Sequence, residues 1–200
     1  MKNNIILAIL VVALPLVTWA VIQPQIRTTT VLCLGDSITM GVGGTHGGYR
    51  GYLKQMLGNR YELVTEAHKG WTTNQLLKVL PLTLIETKPN IVLLMLGTND
   101  IYLDKFDSGL RNIPKIVLKI LENNIRTKIV IGGLLPSEKK GLDVAFFNLG
   151  ISMIASQMGY CVVMVNFNVE ESQTVDGVHP NDKGYELMAK AWYKAIKEAQ

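Results

Sequence analysis

Cysteine is scarce in this 200-residue chain: Cys33 and Cys161 are the only two. Cys33 falls near the end of one apolar run and Cys161 at the start of another. If both runs are strands of one parallel sheet, the thiols lie at opposite edges, too far apart for a disulfide. Both are expected to be small buried hydrophobes. Histidine is nearly as sparse, with His46, His68 and His179, and no clustered His/Cys/Asp pattern marks a metal site. No cofactor is expected. Charge is thin, at 18% of residues with a formal net charge of +4. No Lys/Arg block is interleaved with aromatics, which argues against a nucleic-acid partner. Internal repeats and low-complexity segments are absent. What is present is 48% hydrophobic residue in a length that favours one globular domain with a real core.

The amino terminus stands apart. Met1-Lys2-Asn3-Asn4 precedes an uncharged apolar run from Ile5 to Ile22. One early positive charge, an apolar run and then small residues is the plan of a secretory signal, with Thr18-Trp19-Ala20 as a cleavage site. The same run is also nearly long enough for a membrane anchor, the second choice after cleavage: 18 residues at about 1.5 Å each span roughly 27 Å, against a hydrocarbon core of about 30 Å. Residues 1–26 are therefore expected to be a signal peptide or membrane anchor, and 27–200 the working domain. Either fate places that domain outside the cytoplasm, secreted, periplasmic or held at the membrane through residues 5–22.

Beyond the leader, apolar runs alternate with helical patterns. Val31–Leu34, Tyr61–Thr65, Ile91–Leu96, Lys128–Ile131 and Cys161–Val165 read as strands. Tyr49–Leu57, Asn74–Ile85, Ile113–Leu121, Val144–Met158 and Asn181–Ala199 read as helices. Pro81 should kink or break the second helix, whereas Pro114 is tolerated in the first turn of the third. Asn181 or Asp182 caps the last. Five strands alternating with five helices predict an α/β fold: a doubly wound, three-layer, flavodoxin-like parallel sheet of order 2-1-3-4-5. Two connections are long, 38–48 and 166–179, and long loops in a compact domain are often functional.

The chemistry-bearing residues cluster at the ends of these strands. Gly35-Asp36-Ser37 follows the first strand directly, placing a hydroxyl at the carboxyl edge of the sheet, where open α/β folds hold their sites. Gly70, Gly97-Thr98-Asn99-Asp100 and Asp176-Gly177-Val178-His179-Pro180 follow downstream. Ser37 offers a nucleophile that needs a base within hydrogen-bond reach. His179 offers that base, and Asp176, three residues earlier, an orienting carboxylate. Each has an ordinary alternative: a cap serine, a surface histidine, an Asx turn. The chain lacks the Gly-x-Ser-x-Gly elbow of α/β-hydrolases.

These four blocks, in this order, resemble the signature of the SGNH (GDSL-type) hydrolases, and the likeness spans nearly everything after the leader. The wording around them, Gly47 through Leu53, His68-Lys69-Gly70-Trp71-Thr72 and Asp176 through Tyr185, is similar to the acetyl xylan esterases of carbohydrate esterase family 3. The resemblance implies a serine esterase acting through an acyl-enzyme, with Ser37, His179 and Asp176 catalytic. It implies an oxyanion hole made of the Ser37 and Gly70 backbone amides and the Asn99 side chain. Its substrate would be an acylated small molecule or polysaccharide, with removal of O-acetyl groups from carbohydrate as the first reading. A lysophospholipase or thioesterase acting on longer acyl chains is the second, and a non-catalytic binding module on a hydrolase fold the third. Lys69 departs from the small residue expected beside Gly70, and no carbohydrate-binding module is evident. Tyr49, Trp71 and Tyr102 are candidates to line the cleft, with core packing as their alternative. Arg50 either holds the loop after Ser37 or is simply solvated.

Overall fold

The computed structural model describes residues 28–137 and 139–199. The signal-or-anchor segment expected over 1–26 lies outside the described residues. Among these, no helix is long and apolar enough to cross a membrane.

Five strands, β1 (Thr29–Gly35), β2 (Tyr61–Ala67), β3 (Ile91–Met95), β4 (Lys128–Gly132) and β5 (Val162–Val165), form one all-parallel sheet in the order β2-β1-β3-β4-β5. The seven helices of the described residues are α1 (Ser37–Met40), α2 (Tyr49–Leu57), α3 (Thr73–Thr87), α4 (Thr98–Tyr102), α5 (Phe106–Asn123), α6 (Gly141–Gln157) and α7 (Asp182–Glu198). Side chains alternate across each strand. Leu32, Leu34, Val92, Leu94, Ile129 and Ile131 therefore pack under α3, α5 and α6. Val31, Cys33, Leu93, Met95 and Val130 pack under α2 and α7 around Tyr49, Tyr185 and Trp192. Because both faces are covered, the central strands read as unbroken apolar runs.

Register sets up the site. Gly35 lies level with Ala67 of β2 and Met95 of β3. The chain segments leaving these three adjacent strands thus emerge side by side. Strand order reverses at β1, and the crevice beyond the carboxyl ends at such a reversal is the standard ligand position in open α/β sheets.

Four local expectations are revised. α3 does not break at Pro81 but runs from Thr73 to Thr87. Pro81 lies on its exposed face, while Leu76, Leu80, Thr83 and Leu84 anchor the buried face on both sides of it. Packing there outweighs the one lost hydrogen bond. α5 begins at Phe106 rather than Ile113, so Pro114 is in mid-helix rather than in a first turn. The ordinary alternative for Gly97-Thr98-Asn99-Asp100, a loop rich in turn formers, gives way to a helix, because α4 begins at Thr98. Finally, Cys161 ends a 3-10 turn (Gly159–Cys161) before β5 and is only half-buried, whereas Cys33 is fully buried.

Candidate active site

Ser37 is the first residue of α1, so its amide has no carbonyl one turn earlier to bond. Asp36 caps the helix: its Oδ1 accepts from the Ile38 amide at 3.0 Å. The turn is tight. A Cβ on Gly35 would lie 2.1 Å from Thr39 Oγ1 and 2.7 Å from the Met95 carbonyl oxygen, so only glycine fits between β1 and β3. Arg50 braces the far end, donating from one guanidinium nitrogen to the Met40 carbonyl (2.9 Å) and from the other to Thr65 Oγ1 (2.8 Å). Of its two readings, the bracing one applies.

His179 arrives from the far side of the sheet, on the loop after β5. That loop is folded back as a short ladder. Val175 N donates to the His179 carbonyl (2.8 Å), Asn181 N donates to the Gln173 carbonyl (2.8 Å), and Thr174 bridges Pro180. Asn181 caps α7 by accepting from the Gly184 amide (3.1 Å). Asp182 does other work: its carboxylate accepts from the Thr45 amide (2.8 Å) and hydroxyl (2.7 Å), tying the loop after Ser37 to α7. The Tyr185 hydroxyl donates to the Val42 carbonyl at 2.7 Å, a second tie of the same kind.

The loop places His179 Nε2 2.8 Å from Ser37 Oγ and His179 Nδ1 2.7 Å from Asp176 Oδ2. Asp176 Oδ1 also accepts from the backbone amides of His179 (2.7 Å) and Val178 (3.0 Å). Partial burial pushes the Asp176 carboxyl upward. The His179 amide and ring and the Val178 amide outweigh that and hold it below the ordinary carboxylate value. The opposite holds at Asp36, where complete burial pushes the carboxyl to about 6 against the Ile38 amide and the nearby His179.

Gly70 and Asn99 complete the ring. Gly70 has φ +74°, and a Cβ there would meet nothing within 4 Å. Its need for glycine is conformational, set by the turn in which Trp71 N donates to the His68 carbonyl (3.2 Å). The Asn99 amide donates to the Trp71 carbonyl at 2.9 Å and lies 3.4 Å from Asp36 Oδ2. Both neighbours are acceptors, which fixes the amide with its nitrogen toward the serine turn. Behind it, Asp100 accepts from the Thr73 amide (2.9 Å) and hydroxyl (2.8 Å), and Asn112 donates to Thr73 Oγ1 (3.1 Å). Asp100 thus clamps α4 to the start of α3, binding the Asn99 and Gly70 segments into one unit. Burial raises its carboxyl despite those two donors.

Ser37, Gly70, Asn99 and His179 line one open cavity of about 350 Å³, together with Val42, Lys69, Thr98, Tyr102 and Val178. Asp176 stands behind His179 rather than in the cavity wall. Of the three candidate aromatics only Tyr102 lines it. Tyr49 is fully buried against Trp192, and Trp71 stacks on His68 with ring centroids 4.0 Å apart. Val42, Thr98 and Val178 were not anticipated. Thr98 and Val178 lie inside the motif blocks and Val42 five positions after Ser37, and nothing in their residue types announces a lining role. A pinch of about 90 Å³, lined by Tyr102, Ser137, Glu171 and Asp176, shares Tyr102 with this cavity and Ser137 and Glu171 with a second cavity of about 380 Å³ lined also by Leu134, Val144 and Ala145. The Tyr102 and Ser137 hydroxyls are hydrogen-bonded across the pinch at 2.7 Å.

The chain is similar in sequence and in fold to several known proteins. The GDSL-like Lipase/Acylhydrolase family matches residues 33–187. A multidomain esterase of Ruminococcus flavefaciens is 26% identical over 85% of this chain, which spans only 28% of that larger protein. Among solved structures, a Clostridium thermocellum family 3 carbohydrate esterase superposes with a TM-score of 0.75 at 24% identity, covering 86% of this chain and 98% of that one. A carbohydrate esterase family 3 protein of Talaromyces cellulolyticus gives 0.74 at 22%, with the same coverage. These last two likenesses are of fold. The family match takes in most of the sequence, and the chain accordingly belongs to the GDSL-like lipase/acylhydrolase family of carboxylic ester hydrolases.

Proposed function

We propose that the protein is a serine esterase that removes O-acetyl groups from carbohydrate outside the cytoplasm, with Ser37 as nucleophile, His179 as base and Asp176 as its orienting carboxylate. The observation that carries this reading is the unbroken relay from Asp176 Oδ2 through His179 to Ser37 Oγ, at 2.7 and 2.8 Å, opening on a cavity that Gly70 and Asn99 also line. Ser37 Oγ attacks the ester carbonyl carbon as its proton passes to His179 Nε2. The carbonyl electrons move onto oxygen, which takes hydrogen bonds from the Ser37 and Gly70 amides and from the Asn99 amide hydrogen that otherwise makes the long 3.4 Å contact with Asp36 Oδ2. Collapse breaks the ester C–O bond, and the departing alkoxide takes the proton from Nε2, leaving acetyl on Ser37. Water, deprotonated by His179, then attacks; acetate leaves and Ser37 recovers its proton. Asp176 stays ionised throughout, consistent with its lowered carboxyl, and holds the ring by Nδ1–H.

A cavity of about 350 Å³ is at the small end of ligand sites. It suits a short acyl group with part of a sugar ring, and the fold-level likeness to carbohydrate esterases supports the same choice. The apolar cavity beyond Tyr102 favours a second reading, in which a longer acyl chain runs past the pinch. Acetate release by the full chain from acetylated xylan and from acetylated peptidoglycan, with Ser37→Ala as the blank, separates the two. Serine-dependent release from either polymer supports the deacetylase. No release from either, with turnover of long-chain esters, replaces it with the second reading.

A further inference from the structure

Among the described residues, the outer face of α6 carries the longest row of exposed large apolar side chains. Leu142, Phe146, Leu149 and Met153 are 77%, 61%, 58% and 56% exposed. They are spaced four, three and four residues apart, so they form one straight ridge along the helix. No charged residue occurs between Val144 and Gln157. The contrast with α7, also 17 residues long, is sharp. That helix exposes no large apolar side chain and carries Lys190–Glu186 and Lys194–Glu198 ion pairs. Beside the ridge runs a groove of about 440 Å³, walled by Phe106 and Leu110 of α5 and by Phe146, Leu149 and Met153 of α6, with Asp143 as its one charged lining residue. Its floor is close-packed, since a Cβ on Gly150 would lie 2.6 Å from a Leu110 methyl.

We propose that this face is the interface of a two-fold homodimer, in which the α6 ridges of two copies pack antiparallel, each seated in the other's α5–α6 groove. The spacing of four, three and four reads the same from either end. Antiparallel pairing about a two-fold axis between Phe147 and Asn148 therefore sets Leu142 against the other copy's Met153 and Phe146 against its Leu149. An isologous contact needs this self-complementarity, together with a surface free of like charges that would face themselves. A ridge beside a groove of matching apolar character also suits a shaped partner better than a flat lipid surface. Helices that lie on membranes carry Lys and Arg along their flanks, and α6 carries none beyond Gly141. At about 200 Å² for a large side chain, the four ridge residues leave roughly 500 Å² of apolar surface per copy. Two copies would cover about 1,000 Å², which reaches the lower bound of a specific interface, with only Phe106 and Leu110 of the groove's large apolar residues left to add to it. Because α6 runs antiparallel to the strands, this pairing points the two Ser37 sites in opposite directions and leaves both open.

Sedimentation equilibrium of the full chain in density-matched detergent, at about 10 µM, a range in which small interfaces associate, tests the proposal. Wild type is expected at twice the chain mass, and Phe146→Glu at the single chain mass with unchanged ester turnover. Under oxidation, Leu142→Cys/Met153→Cys is expected to give a covalent dimer that neither single variant gives. A wild type that sediments as one chain overturns the proposal, as does a Phe146→Glu variant that remains dimeric. So does a monomeric wild type that co-sediments with phosphatidylcholine–phosphatidylglycerol vesicles and loses this with Phe146→Glu, which would mark the face as lipid-binding.

Discussion

The serine and the histidine come to the cavity from two different kinds of structure. Ser37 stands on a short helix capped by a buried carboxylate, wedged between two central strands, and braced by Arg50. His179 stands on a hairpin-like loop after an edge strand, with Asp176 half exposed beside it. The aspartates record the difference. Burial dominates at Asp36 and raises its carboxyl to about 6, whereas amide donors dominate at Asp176 and lower it. The serine side is held by packing, and the histidine side by hydrogen bonds and by two ties from the loop after Ser37 to α7. In the proposed mechanism His179 serves two proton transfers at different positions of the reacting group, a task that suits a base held on a hydrogen-bonded loop.

Substitutions on the two sides should break this comparison in different ways. The largest effect is expected from Ser37→Ala or His179→Ala, each lowering kcat by about 10⁵- to 10⁶-fold, with the double variant little worse because the two act as a unit. Steady-state rates together with unchanged far-UV circular dichroism check this. Asn99→Ala should cost about 10²- to 10³-fold in kcat with little change in KM, as expected for a donor used mainly in the transition state. A rise in KM alone would instead make Asn99 a ground-state contact.

The pH response sharpens the contrast. The Asp36 carboxyl lies at about 6 in the folded chain against 3.8 ordinarily, so folding takes up a proton between those values. Its contribution is fully present below about pH 4 and is lost as pH rises through 6, by about 3 kcal/mol at most. Asp176 works the other way: its contribution is present above the ordinary carboxylate value and is lost as pH falls through its lowered folded value. Urea unfolding should show Asp36→Asn abolishing the part of the pH 4–6 slope that this group supplies. An unchanged slope would mean that Asp36 is not buried as described. The smallest effect is expected from Arg50→Lys, which can keep one of the two braces of α1. It should cost about 1–3 kcal/mol of stability and only a few-fold in kcat, read from denaturation and rates.

Much of this division was visible in the residues. The alternation of short apolar runs with helical faces points to a parallel sheet, and the order 2-1-3-4-5, chosen among the doubly wound orders by likeness to flavodoxin-like folds, is the one observed. The blocks at Ser37, Gly70, Asn99 and His179 were legible together, through their resemblance in order to the SGNH signature; Gly70 alone reads as an ordinary turn glycine. What stayed hidden depends on long-range contacts. Pro81 sits within a helix because residues on both sides of it are buried by other elements, which local preference does not register. Arg50 meets Met40 and Thr65 only once β2 lies beside β1. Asp36 and Asp100 resemble ordinary turn aspartates until burial alters their titration. Trp71 contributes a backbone carbonyl to the site, and no property of its ring announces that.

The central claim is that Ser37 is the atom that carries the acyl group, activated by His179. Mass spectrometry of the full chain treated with a fluorophosphonate tests it most directly, because the serine oxygen displaces fluoride and retains the phosphorus. A single adduct on the peptide containing Ser37, absent in Ser37→Ala and strongly slowed in His179→Ala, is the expected result. An adduct on another residue, or none on a preparation that still hydrolyses esters, would contradict the account.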